Sequence, residues 1–239
     1  MEMLLHPGSW IALLTLTFLE IVLGIDNIIF ISIVSDKLPE RQQPLARNIG
    51  LLLAMGMRIL LLVGITYIIH FSEPLFTVMD FSLSVRDLVL FSGGTFLLIK
   101  SILEIHHKME DEDQEKQLKQ RKSILPVVLQ IMVLDMVFSF DSILTAIGLT
   151  DKLLLMIIAI VISIFIMMAF SGKIAHFINS HPTLQVLALS FLILIGFMLV
   201  LDAFHFHVPK GYIYFAVFFS LCVELINMRI RKKWKAKSM

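Results

Sequence analysis

One cysteine, Cys222, stands in 239 residues, which excludes an intramolecular disulfide and any thiolate metal cage. Charge is scarce: Asp, Glu, Lys and Arg make up 16% of the chain, where soluble domains carry about 25%. No GxxxxGK[ST] loop is present, so no ATPase is indicated, and no low-complexity tract or soluble domain interrupts the sequence. The N-terminal MEMLLHPG lacks a basic n-region, and no small-residue cleavage site follows it. The first apolar stretch is therefore expected to remain as a membrane anchor.

What is present is apolar. Hydrophobic residues make up 58% of the chain, and mean hydropathy is +0.89. About 20 apolar residues cross a bilayer as a helix. Seven stretches qualify, at roughly 9–34, 48–70, 86–105, 124–149, 153–178, 184–204 and 211–228. Charged or proline-containing segments separate most of them, and the short join at Thr150-Asp151-Lys152 predicts a tight helical hairpin. The fold class is all-α, a polytopic membrane protein of seven transmembrane helices.

Basic residues orient it. With the N-terminus outside, fifteen Lys and Arg face the cytoplasm, including Lys37, Arg41, Arg47 and the tail RIRKKWKAK, against Arg86, Lys152 and Lys210 outside. The C-terminus is then cytoplasmic. The tail reads as a topology anchor on anionic lipid and not as a nucleic-acid binder.

The segment FLEIVLGIDNIIF at 18–30 returns in degenerate form as VLDMVFSFDSILT at 133–145. A second match relates the region 87–105 to the region around 186–204, and a shift of 98 residues puts Ser92 on Ser190 and Glu104 on Asp202. Helices one to three thus match four to six. Because three is odd, the second copy is inverted, an arrangement of secondary transporters that bind substrate near the bilayer midplane. The chain divides into a first three-helix repeat (1–105), a charged cytoplasmic linker (106–123), a second repeat (124–206), and a seventh helix with its basic tail (207–239).

The repeated motif carries the chemistry. It places Glu20 and Asp26 in span one, and Asp135 and Asp141 in span four. Each later acid is followed by a small polar residue, Asn27 or Ser142. A carboxylate at a bilayer centre costs roughly 2.5–3.5 kcal/mol, so four cost about 10 kcal/mol if additive. Something must compensate them. Six residues of regular helix turn the two acids of each span about 120° apart, so convergence on one ion requires a local break or a shared cavity. Gly24 is the expected break in span one, and Ser139 is its weaker counterpart. Carboxylate, amide and hydroxyl oxygens form a hard site suited to Mn²⁺, Ca²⁺ or Mg²⁺. No His lies in the middle of a span to favour zinc. The competing reading is a structural ion-pair network: Arg58 in span two can neutralise one acid, and its counterpart near Ile164 is apolar. Lys100, near the cytoplasmic end of span three, is expected to snorkel or to pair with Glu104 four residues on. Asp202, His205 and His207 read as a hydrated outer loop, and His106, His107, His176 and His181 as solvated inner residues.

The segments TLTFLEIVLGIDNIIF, QIMVLDMVFSFDSILTAIGL and HPTLQVLALSFLILIGFMLVLDAFHFHVPKGYIYFAVFFS resemble the bacterial TerC family of integral membrane proteins over nearly the whole chain. That resemblance implies metal-ion export, chiefly of Mn²⁺, across the inner membrane. Glu20, Asp26, Asp135 and Asp141 match the family's acidic positions, with Asn27 and Ser142 beside them. The combined expectation is an exporter and not an enzyme. It has no permanently bound cofactor, and its partners are the lipid bilayer, a divalent cation, protons and a second copy of the chain. The alternative class is a non-transporting scaffold or assembly factor in metal or tellurite stress.

Overall fold

The computed structural model describes residues 7–67, 74–78, 81–110, 123–150, 152–206 and 208–237. Helices dominate: α1 (Pro7–Ser35), α2 (Gln43–Tyr67), α3 (Val85–Glu110), α4 (Ile124–Leu149), α5 (Leu153–Asn179), α6 (Pro182–Ala203) and α7 (Lys210–Lys237). Among the described residues, six helices are long and apolar enough to cross a membrane, and the apolar stretch described in α4, Ile124–Phe140, is shorter. Helix is what lipid demands, because every backbone N–H and C=O must be satisfied within the segment. Only three residues separate α4 from α5. Among the described residues, however, the two helices do not pack into the tight hairpin expected from the Thr150-Asp151-Lys152 join: α5 lies mainly on α1, and α4 mainly on α2.

Three features depart from the sequence expectation. A two-stranded antiparallel hairpin, β1 (Pro74–Val78) and β2 (Phe81–Ser84), occupies what reads as a plain loop, so the fold is nearly all helical and not purely so. Its strands are rich in the aromatic and β-branched residues that suit a pleated surface. Next, α3 runs on to Glu110 and takes His106 and His107 out of the expected linker, which is otherwise outside the described residues. His107 and Lys108 fall in its last turn, where positive charge complements the helix dipole. Finally, α2 begins at Gln43, which places Arg47 inside the helix and buried, not in the preceding loop.

The helices pair selectively. The most extensive contacts are α1 on α5 and α3 on α6, followed by α2 on α4 and then α2 on α5 and α1 on α4. Helix α7 touches mainly α6 and presents a row of exposed apolar side chains, among them Tyr212, Phe215 and Phe219. Small residues permit the closest approaches. A Cβ built on Gly94 meets the Gly196 carbonyl oxygen at 2.7 Å, so α3 and α6 cross backbone to backbone. The main core runs through α1, α2, α4 and α5, with Leu16, Ile31, Leu62, Leu134, Phe140 and Ile160 among its buried members.

Candidate metal centre

Glu20 lies thirteen residues into α1, which at 1.5 Å per residue puts it about 20 Å from the helix start. Asp135 and Arg58 sit near the middles of α4 and α2. Because α1 and α2 both pack on α4, the three side chains meet in the core. Each is no more than 4% exposed.

The guanidinium of Arg58 joins them. Its Nε donates to Asp135 Oδ2 at 2.8 Å and its Nη2 to Asp135 Oδ1 at 2.7 Å, a two-pronged pairing. Its Nη1 donates to Glu20 Oε2 at 2.6 Å. Arg58 therefore bridges two acids, one from each copy of the motif, where the sequence assigns it only one. Spacing along a chain cannot reveal that a side chain from a third helix reaches both.

Asn27 completes the cluster. Its Nδ2 donates to Asp135 Oδ1 at 2.9 Å, across from α1 to α4. Its Oδ1 is buried and, among the described residues, has no hydrogen-bond partner. Buried polar atoms are rarely left so, and leaving one costs about 1–3 kcal/mol. Ser142 is buried and interacts with Glu20; its hydroxyl donates to the Ser139 carbonyl at 3.1 Å. The side chains of Asp26 and Asp141 lie outside the described residues. Without them, no group of three or more His, Cys, Asp or Glu converges among the described residues.

The expected helix break does not occur. Both α1 and α4 are continuous through Gly24 and Ser139. Gly24 instead gives room to α5: a Cβ there would stand 2.4 Å from Met167 Sδ. Ser139 turns its hydroxyl onto the Met136 carbonyl at 3.1 Å, as polar side chains do inside apolar helices. Convergence comes from helix crossing, not from unwinding.

Two polar networks close the ends of the bundle. At one end Lys37 pairs with Glu104, so the i, i+4 partner expected from Lys100 is superseded by a tertiary one. Asn179 there accepts from Ser32 and Gln185 and donates to Asp36, which ties α5 to α1 and α6. A cavity of about 880 Å³ opens beside it, lined by Asp36, Glu40, Arg47, His176, Asn179 and Ser180. At the other end Lys152 donates to Ser9 at 3.0 Å. Ser84 and Asp87 form a reciprocal capping box at the start of α3, and His205 lies 3.3 Å from the same carboxylate. His205 thus faces Asp87, while His207 is outside the described residues. The S-x-x-D spacing before an apolar run was a readable signal for that cap. Nothing in the NSHP segment marked Asn179 as a hub.

The sequence profile described as "Integral membrane protein TerC family" matches residues 5–238, and the chain belongs to that family. It is 51% identical over 228 residues to the UPF0053 inner membrane protein YgdQ of Escherichia coli (strain K12), covering 95% of each chain. It is 49% identical over 235 residues to a UPF0053 protein of Haemophilus influenzae, covering 98% of this chain and 99% of the relative. The UPF0053 inner membrane protein YoaE of Escherichia coli (strain K12) is 47% identical over 235 residues, but the match spans only 45% of that longer protein. No solved structure matches.

Proposed function

We propose that this TerC-family membrane protein exports a divalent cation, Mn²⁺ foremost, across the bacterial inner membrane. The observation that carries the reading is the buried cluster of Glu20, Asp135 and Asn27, with the Asn27 carbonyl oxygen left without a partner among the described residues. Carboxylate and amide oxygens are ligands for a hard cation. Asp26 and Asp141, from the same two helices, would complete the shell with Ser142. One arginine offsets only part of four acids. A divalent cation or protons must supply the rest, and protons compete with metal for the same oxygens.

The transport class rests on an inverted repeat of α1–α3 and α4–α6. Exchanging the two triplets leaves the main packing pairs in place: α1 on α5 becomes α4 on α2, while α3 on α6, α2 on α5 and α1 on α4 map onto themselves. The sequence match also continues past the acids. Glu20 and Asp135, Asp26 and Asp141, and the two Asp-Lys-Leu runs at 36–38 and 151–153 all lie 115 residues apart. Rocking of one repeat against the other would expose the cluster alternately to each side. All seven helices span the membrane in this reading, with the N-terminus outside and the C-terminus in the cytoplasm.

A specific observation also favours the scaffold reading: Glu20 and Asp135 are already paired with Arg58, as a static clamp would have them. Everted membrane vesicles separate the two. An exporter accumulates Mn²⁺ in the lumen, and a scaffold leaves Mn²⁺ uptake at the level of vesicles lacking the protein.

A further inference from the structure

We infer that Arg58 is a tethered stand-in for the transported cation: its guanidinium holds the acids while the carrier is empty, and a divalent ion must displace it to bind. The inference rests on the exporter reading and extends it to the return of the unloaded carrier. Three of the oxygens that would hold a metal, Glu20 Oε2 and both oxygens of Asp135, already accept from Arg58. Guanidinium and metal are therefore alternatives, not neighbours.

Space leads to the same conclusion. A void against Glu20, among Leu16, Leu62, Ile143 and Ile160, is about 10 Å³. That holds about one water probe and no hydrated ion. For a metal to take the oxygens that Arg58 holds, the guanidinium has to leave. Arginine does not lose its proton in proteins, so it leaves by moving. Its anchor on α2 is separate from the helices that bear the acids, so its withdrawal is coupled to how α2 sits against α1 and α4.

The arrangement solves a problem that any empty acidic carrier has. Bare carboxylates moving through a low-dielectric core are strongly disfavoured. With Arg58 inserted, the Glu20–Asp135 pair changes exposure carrying one compensating charge. The same device sets ion class. A monovalent ion offers no charge advantage over the guanidinium and forgoes its two-pronged geometry, whereas a divalent ion brings twice the charge. One arginine serves both motif copies because it touches an acid from each.

The test uses purified full-length protein in proteoliposomes with Mn²⁺ as the only metal. Net Mn²⁺ efflux into metal-free buffer requires the empty carrier to return; isotopic Mn²⁺ exchange at equal concentrations does not. For Arg58→Gln we expect net efflux to fall at least about tenfold, while exchange stays within about threefold of wild type and apparent Mn²⁺ affinity rises, because the competing state is gone. Net efflux at wild-type rate, or an equal loss of both fluxes in well-folded protein, overturns the inference. If Arg58→Gln does not insert, Arg58→Lys carries the test. It keeps a cation without the fork, so affinity should rise and the ratio of exchange to net flux should increase; no change in either refutes the role. Wild-type protein showing neither flux would instead refute the exporter reading itself.

Discussion

At Asn27 the two ends of one amide have different fates: Nδ2 is spent on Asp135, and Oδ1 is buried with no donor among the described residues. An exposed asparagine would find water for both ends. In the proposed site the orphaned oxygen is a standing cost that a bound cation would remove. In Asn27→Leu the metal-free protein should keep its melting temperature within a few degrees, because the lost hydrogen bond is offset by the lost orphan. The rise in melting temperature on adding Mn²⁺ should shrink, corresponding to an affinity loss of about tenfold. Thermal scans with and without Mn²⁺ check this, and an undiminished Mn²⁺ shift would remove Asn27 from the ligand set. Asp26→Asn and Asp141→Asn test the motif's other acids. Each keeps the shape and removes a charge, so each is expected to insert normally and to abolish Mn²⁺ tolerance in cells. Full tolerance at normal expression would exclude that acid. The acids themselves were plain in the sequence, since carboxylates in apolar stretches have few explanations. The double bridge by Arg58 was not, because it depends on where α2 crosses α1 and α4.

Helix α3 is held to α6 by the absence of side chains. Gly94 and Gly196 face each other's carbonyl oxygens, and a methyl group at either would have to push two backbones apart. Gly94→Ala should therefore destabilise the protein in detergent by about 1–3 kcal/mol, despite the better helix propensity of alanine. Gly56→Ala is the control: a Cβ there meets nothing within 4 Å, so it should be neutral or slightly stabilising. Equal behaviour of the two variants would count against the close crossing. At this scale much of the fold could be read in advance. Apolar runs located the helices, most ends to within about five residues, although α7 runs on to Lys237. The short join did not make α4 and α5 a packed hairpin, because each finds its main partner among the first three helices. What could not be read were features set by tertiary partners. Glu104 had a lysine one turn away at Lys100, yet it pairs with Lys37, which arrives from the α1–α2 connection. Gly24 carried the usual mark of a helix break, but its missing side chain makes room for Met167. The β1–β2 hairpin offered only short apolar strands beside a proline, too little to distinguish it from a loop.

Across the whole molecule the two ends differ in chemistry. At one end Lys37 pairs with Glu104, and Lys108, Gln185, Asn179 and Asp36 are linked by hydrogen bonds; Ser9 with Lys152 and Asp87 with His205 close the other end. Most of the chain's basic residues belong with the first end by sequence, which is the basis for placing it in the cytoplasm. A C-terminal fusion to a reporter that matures only in the cytoplasm should give signal, and the same position fused to a periplasm-specific reporter should stay silent; the reverse pattern would invert the topology. The central claim is narrower: a divalent ion binds between α1 and α4 on the acids of the repeated motif. Anomalous scattering from Mn²⁺-soaked crystals addresses it most directly. One strong peak is expected within about 2.2 Å of Glu20 and Asp135 oxygens, a distance usual for a hard divalent ion on carboxylates, with the Arg58 guanidinium withdrawn from both. Protein saturated with Mn²⁺ that shows its anomalous peak elsewhere, with Arg58 still bridging Glu20 and Asp135, would contradict it.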